Sequence, residues 1–124
     1  VDYEGRHISV GQGNNAFVFP GIGFAAILGR CERISDAMII ESAFALAGYT
    51  HARRLDADRI FPSIADLQEV SVQVAAQVLA VALRDGTAHR PDLEGSDLEA
   101  LKAFIRSRMW QPQYLPYVLA EDAL

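Results

Sequence analysis

Apolar positions recur at helical spacing through most of this chain, and only its first dozen residues alternate like a strand. In RHISVG, residues 6 to 11, His7, Ser9 and Gly11 fall on one side and Ile8 and Val10 on the other, which predicts a short strand over residues 6 to 12. Gly11 and Gly13 then punctuate a turn. Residues 15 to 29 are almost wholly apolar after Asn15, so they read either as a strand followed by a helix or as one buried helix kinked at Pro20. ISDAMIIESAFALAGY reads as a helix with Ser35 as N-cap, Asp36 in the first turn and Gly48 as its stop. Residues 50 to 62 form a polar connector closed by Pro62. From Ser63 a long helix is predicted, with Asp66 three residues on as a capping-box variant. Leu67, Val70, Val74, Val78, Val81 and Ala82 repeat along it at helical spacing, and Asp85-Gly86 ends it. TAHRPDLEG reads as a loop. SDLEALKAFIRSR carries the capping box Ser96 with Glu99 and an apolar face of Leu98, Leu101, Phe104 and Ile105. The tail MWQPQYLPYV, aromatic and proline-rich, reads as an extended arm lying on another surface.

The pattern therefore predicts an α/β, helix-rich piece with one short strand and about four helices. A lone strand would leave its backbone groups unpaired, so it is expected to join a sheet lying outside these residues. The chain also opens on Val1 without a methionine, as a processed protein or an excised fragment does.

Composition narrows the partners. Of 124 residues, 51% are hydrophobic and 22% charged, which is enough to build a core. The formal net charge of -5 argues against nucleic acid or an anionic membrane as the main partner. No apolar run reaches the roughly 18 residues a membrane span needs. Cys31 is the sole cysteine, which excludes an internal disulfide and fits a reducing compartment.

Few candidates carry chemistry. GIGFAA fits G-x-G-x-x-A through Gly21, Gly23 and Ala26, with Glu41 twenty residues beyond Gly21 as a ribose acid. Against that, Pro20 stands where a central strand should end, and Glu41 falls inside a capped helix. Close helix packing at small residues is the competing reading. Asn14 and Asn15 follow the predicted strand; they serve either as turn and N-cap residues or as amides offered to a carboxylate or carboxamide. His7, His51 and His89 are far apart and have no metal-ligand spacing. DADR, residues 56 to 59, starts like a calcium loop but lacks the glycine and the closing glutamate. Cys31 reads as a small packed residue, and Arg106 and Arg108 as cations at a helix C-terminus.

Taken together, several motifs resemble one family. GQGNNAFVFPGIG is similar to the GQxNN-(apolar)-FPGIG segment of malic enzymes. RISDAMIIESAFALA resembles the helix that follows it, RIFPSIADLQEVSVQVAAQVLAVALRDGTA the family's R-(I/L)-(F/Y)-P-P stretch and long helix, and MWQPQYLPYV its MWxPxYxPY close. The four matches run in order along nearly the whole chain. Ser63 departs from the usual second proline. The resemblance implies that residues 1–124 are the C-terminal segment of a Rossmann-type NAD(P)-binding domain. The parent would decarboxylate (S)-malate oxidatively to pyruvate and CO₂ with NAD or NADP and Mg²⁺ or Mn²⁺. It implies substrate contacts by Asn14 and Asn15 and cofactor-side contacts by Asn14 and Gly13. Catalytic residues, metal ligands and the dinucleotide glycine loop belong to upstream segments, so GIGFAA is not the fingerprint. It further implies a homo-oligomer, dimer or tetramer, located in the cytoplasm or alternatively the mitochondrial matrix. A malolactic enzyme segment and a non-catalytic helical assembly or regulatory module remain the alternatives.

Overall fold

The computed structural model describes residues 1 to 8, 10 to 53 and 60 to 114. In chain order these hold strands β1 (Asp2–Tyr3) and β2 (Arg6–His7), then helices α1 (Phe19–Gly29), α2 (Asp36–Ala52), α3 (Leu67–Arg84) and α4 (Leu98–Arg108). The DADR segment and Tyr117 lie outside the described residues.

The strand differs from its prediction. Only Arg6 and His7 are extended and paired, and the partner is in the chain itself: Asp2 pairs with His7 and Tyr3 with Arg6, antiparallel. Glu4 and Gly5 both have positive φ, 46° and 73°, the backbone that a two-residue hairpin turn demands. Pairing runs out at Val1 and Ile8, which exchange bonds of 2.7 and 2.9 Å. Among the described residues there are thus two strands of two residues rather than one longer strand, and the hairpin pairs the backbone of Arg6, His7 and Ile8 within the chain.

The apolar run after Asn15 is neither a strand nor one kinked helix. A 3₁₀ turn, Asn15–Phe17, leads into α1, and Pro20 sits in the first turn of α1, where its missing N–H costs nothing. At the other end of α1, Arg30 takes the left-handed conformation with φ 51°. Two of the terminal carbonyls find donors in a distant loop: His89 N–H reaches Gly29 O at 2.9 Å, and Arg90 Nη1 reaches Leu28 O at 2.7 Å.

The core is built around α3. Val70, Val72, Val74, Ala75, Ala76, Val78, Leu79, Val81 and Ala82 are all buried, which covers most of the helix circumference and leaves a face of Glu69, Gln73, Gln77, Ala80 and Arg84 less covered. α1, α2 and α4 pack on it, and α1 and α2 meet each other far less than each meets α3. By length and composition, the stretch Ile64–Arg84 is apolar enough to cross a bilayer, contrary to the sequence expectation; half of its window is buried among the other helices, as in the central helix of a packed core. Gly21 sets the closeness of α1: a Cβ there would lie 2.7 Å from Cβ and Cγ1 of Val74. That is the close helix packing at small residues that competed with a phosphate-binding loop.

Two helix ends also differ from expectation. Ser35 caps α2 as predicted, its Oγ accepting from Met38 N–H at 3.3 Å. Gly48 does not stop the helix, which continues to Ala52. A mid-helix glycine costs only about 1 kcal/mol, and the buried Tyr49 beyond it offsets that. In α4 the cap is Asp97, not Ser96: Asp97 Oδ1 accepts from Ala100 N–H at 2.8 Å, and Glu99 pairs with Lys102 instead of closing a box.

Candidate functional site

The site begins with a constraint on backbone space. Gly11 and Gly13 lie against Phe61, which precedes the buried Pro62 and the cap of the α3 region. A Cβ at Gly11 would lie 3.1 Å from Phe61 O and 3.2 Å from its Cβ; one at Gly13 would lie 3.2 Å from ring atom Cε2. Ser63 Oγ accepts from Ala65 N–H at 3.2 Å and starts a 3₁₀ turn, Ile64–Asp66, that runs into α3. Phe61 is therefore fixed to the central helix, and the two glycines let the chain pass close beside it.

Asn14 comes next, extended at φ -132° and ψ 131°. Its Oδ1 accepts from Ala16 N–H at 2.9 Å, and its carbonyl accepts from Phe17 N–H at 3.1 Å. This is N-capping of the 3₁₀ turn, and it fixes the amide: with Oδ1 bound to backbone, the NH₂ group is the outward end. Among the described residues nothing accepts from that NH₂, and both Asn14 and Asn15 are exposed. Phe17, fully buried, anchors the turn from behind. The arrangement offers neutral N–H donors on a fixed turn, which suits a carboxylate or carboxamide oxygen.

The other sequence candidates are accounted for structurally. His7 pairs with Asp2 at 2.8 Å and His89 with Glu32 at 2.8 Å, both exposed, and His51 sits in the last turn of α2. Among the described residues no group of three His, Cys, Asp or Glu side chains could hold a metal. Glu41 lies within α2, and Gly21 is packed on Val74, so GIGFAA forms a helix-packing surface in this fold. Burial pushes the Cys31 thiol upward, away from thiolate chemistry. Arg106 bonds Glu69 at 2.6 Å and ties α4 to α3.

Two features escaped the sequence reading. One is Phe61, whose contact with Gly11 and Gly13 spans about fifty positions; an aromatic residue directly before Pro62 was its only local sign. The other is the Arg90–Asp92 pair within the predicted loop. Arg90 holds both Asp92 oxygens, at 2.8 and 2.6 Å, while stacking 4.9 Å over Phe104 of α4. The hydrogen bonds from Arg90 lower the Asp92 carboxyl to about 2. An apolar cleft of about 730 Å³ lies between Phe24, Ile27, Leu67 and Trp110, away from Asn14. Among the described residues no ionisable side chain lines it.

The fold defines the class first: a helix-rich α/β portion of a Rossmann-type nucleotide-binding domain. Residues 1–83 match the family described as malic enzyme, NAD binding domain, so the chain belongs to the malic enzyme family. It is 32% identical over 114 residues to the NADP-dependent malic enzyme of Dictyostelium discoideum, covering 92% of this chain and 20% of that protein. It is 36% identical over 117 residues to the NAD-dependent malic enzyme of Acinetobacter baylyi, covering 94% and 20%. The NADP-dependent malic enzyme of Populus trichocarpa is likewise 36% identical over 117 residues, at 94% and 19%. The chain thus spans about a fifth of the length of these curated relatives. Both NAD- and NADP-dependent relatives occur among them, which supports NAD(P) as the cofactor of the family.

Proposed function

We propose that this chain is the C-terminal segment of the NAD(P)-binding domain of a malic enzyme, and that it supplies a substrate contact rather than the acid, the base or the metal ligands. The parent reaction is oxidative decarboxylation of (S)-malate to pyruvate and CO₂ with NAD or NADP and Mg²⁺ or Mn²⁺. The observation that carries the reading is the fixed amide of Asn14. Its Oδ1 is held by Ala16 N–H, which leaves the NH₂ donors as the outward end of the amide. A dicarboxylate substrate presents acceptors, and a neutral amide binds one without adding a charge that would compete for a metal. Such a contact holds malate in place while the cofactor supplies the hydride chemistry, so it acts by orientation. Asn15 is the neighbouring donor, and Gly13 brings the turn to the cofactor side. The reading carries with it a homo-oligomeric enzyme, a dimer or tetramer, in the cytoplasm.

The cap gives the test its discrimination. Asn14→Ala in the full-length parent removes one hydrogen bond to a charged group, worth roughly 1.5–3 kcal/mol, and so lowers kcat/KM for malate about 10- to 150-fold. Asn14→Asp is expected to keep the cap, because aspartate caps as well as asparagine. It nevertheless turns a negative oxygen toward the substrate and loses more activity than the alanine variant at an unchanged melting temperature. NAD(P) affinity should move less in both. A folded Asn14→Ala enzyme with unaltered kcat/KM would leave Asn14 as a turn residue only.

A further inference from the structure

We infer that Phe61 is a positioning residue for malate, acting through Asn14. This rests on the substrate-binding reading of Asn14 and extends it to a residue about fifty positions away. The turn that carries Asn14 is gripped from two sides. Behind it Phe17 is fully buried in the helical core. Beside it Phe61 occupies the volume that side chains at residues 11 and 13 would need: its backbone and Cβ face Gly11, and its ring edge faces Gly13 with Cε2 and Cζ at 3.2 and 3.4 Å from the missing Cβ. Asn14 follows Gly13 directly, so a shift of the ring is passed to the amide through one peptide unit. No hydrogen bond joins residues 10 to 13 to anything else among the described residues, so packing on Phe61 is what locates this stretch. The ring itself has a firm base, because Pro62 is buried and Ser63 caps the 3₁₀ turn that opens into α3. The central helix, the aromatic ring, the glycine pair and the outward amide form one mechanical series. Phe61 touches neither substrate nor cofactor in this account; its effect is on where the Asn14 donors stand.

The test is a double-mutant cycle in the full-length enzyme, with melting temperature and NAD(P) dissociation constant measured beside malate kinetics. Phe61→Ala opens the space beside Gly13 and is expected to lower kcat/KM for malate roughly 10- to 100-fold, the scale of a misplacement of about 1 Å, with NAD(P) affinity held. In the Asn14→Ala background the same change should cost little more, because the group it positions is already gone. Phe61→Tyr, which keeps the ring, should retain most of the activity. Should Phe61→Ala fail to fold, Phe61→Leu is read by the same criteria. An unchanged kcat/KM overturns the inference, as does a loss that multiplies in full with that of Asn14→Ala, or a loss matched by NAD(P) affinity. The two readings fail separately. A damaging Asn14→Ala with an inert Phe61→Ala removes only the positioning role, whereas an inert Asn14→Ala removes the substrate contact on which both depend.

Discussion

Single side chains in this protein are held by partners that a local reading of the sequence passes over. Arg90 illustrates it. Its side chain is 16% exposed, and its guanidinium clamps both oxygens of Asp92, donates to the end of α1 and stacks on Phe104. The sequence showed Arg-Pro-Asp in a loop; the ring and the carbonyl it meets come from elements 14 positions later and 62 earlier, so no local pattern could announce them. Asn14 was more legible, because N-capping and ligand binding both ask for a short amide after an extended residue, and the structure assigns the capping half. A pH prediction belongs to the Arg90 pair. The Asp92 carboxyl titrates near 2 in the fold against 3.8 ordinarily, so its folded value is depressed. The stabilisation is therefore present in full above about pH 4 and is lost as the pH falls toward 2. Expected is a melting-temperature gap between the protein and its Asp92→Asn variant that is open near neutrality and closes through that interval. A gap independent of pH would assign Asp92 no electrostatic role.

Elements follow their caps and their neighbours in different measure. Where one side chain decides an end, as Ser35 does for α2, the sequence sufficed. Where two candidates stand side by side, as Ser96 and Asp97 do, only geometry chooses. Asp97→Ala is accordingly expected to destabilise by about 1 kcal/mol and Ser96→Ala by a few tenths at most, measured by denaturant midpoint. Equal costs would mean that the box at Ser96 operates after all. The hairpin was the least legible element, because the short Asp2–Tyr3 strand carries no alternation of its own and the turn depends on Glu4 taking a positive φ that its residue type does not favour. Helix contact is a stronger constraint. Gly21→Ala places a methyl 2.7 Å from Val74 and should destabilise by about 1–3 kcal/mol. Adding Val74→Ala makes room and should recover part of that loss, which a thermal melt of the double variant would register. No recovery would show that α1 does not owe its position to this contact.

At the scale of the whole chain, large apolar side chains stand at the surface beside a complete core: Ile39, Ile40 and Phe44 on α2, Phe19 and Ile27 on α1, and Trp110 and Tyr114 after α4. Large apolar side chains left exposed in such number suit faces that meet other protein. Trp110 and Tyr114 carry the prediction that this stretch packs on another subunit or domain: replacing both with alanine in the full-length enzyme should lower the oligomer mass or the melting temperature, and an unchanged value of both would refute it. The isolated 124 residues should give no malate-dependent NAD(P)H above a buffer control, since the described residues hold no metal-binding group of three. Helix count and core were readable because α3 repeats apolar residues over five turns; that its buried arc also takes in Val72, Ala75, Ala76 and Leu79 was not, because the periodic set Leu67 to Ala82 describes only one face. That enclosure has a consequence for the motions of the native state. The middle of a helix on which three others pack does not release its amide hydrogens by fraying or by the departure of one neighbour. Residues 72 to 82 should therefore be the last to exchange with deuterated water, at a rate that reports the opening of the entire fold, while the outward side of α2 exchanges through smaller and more frequent openings.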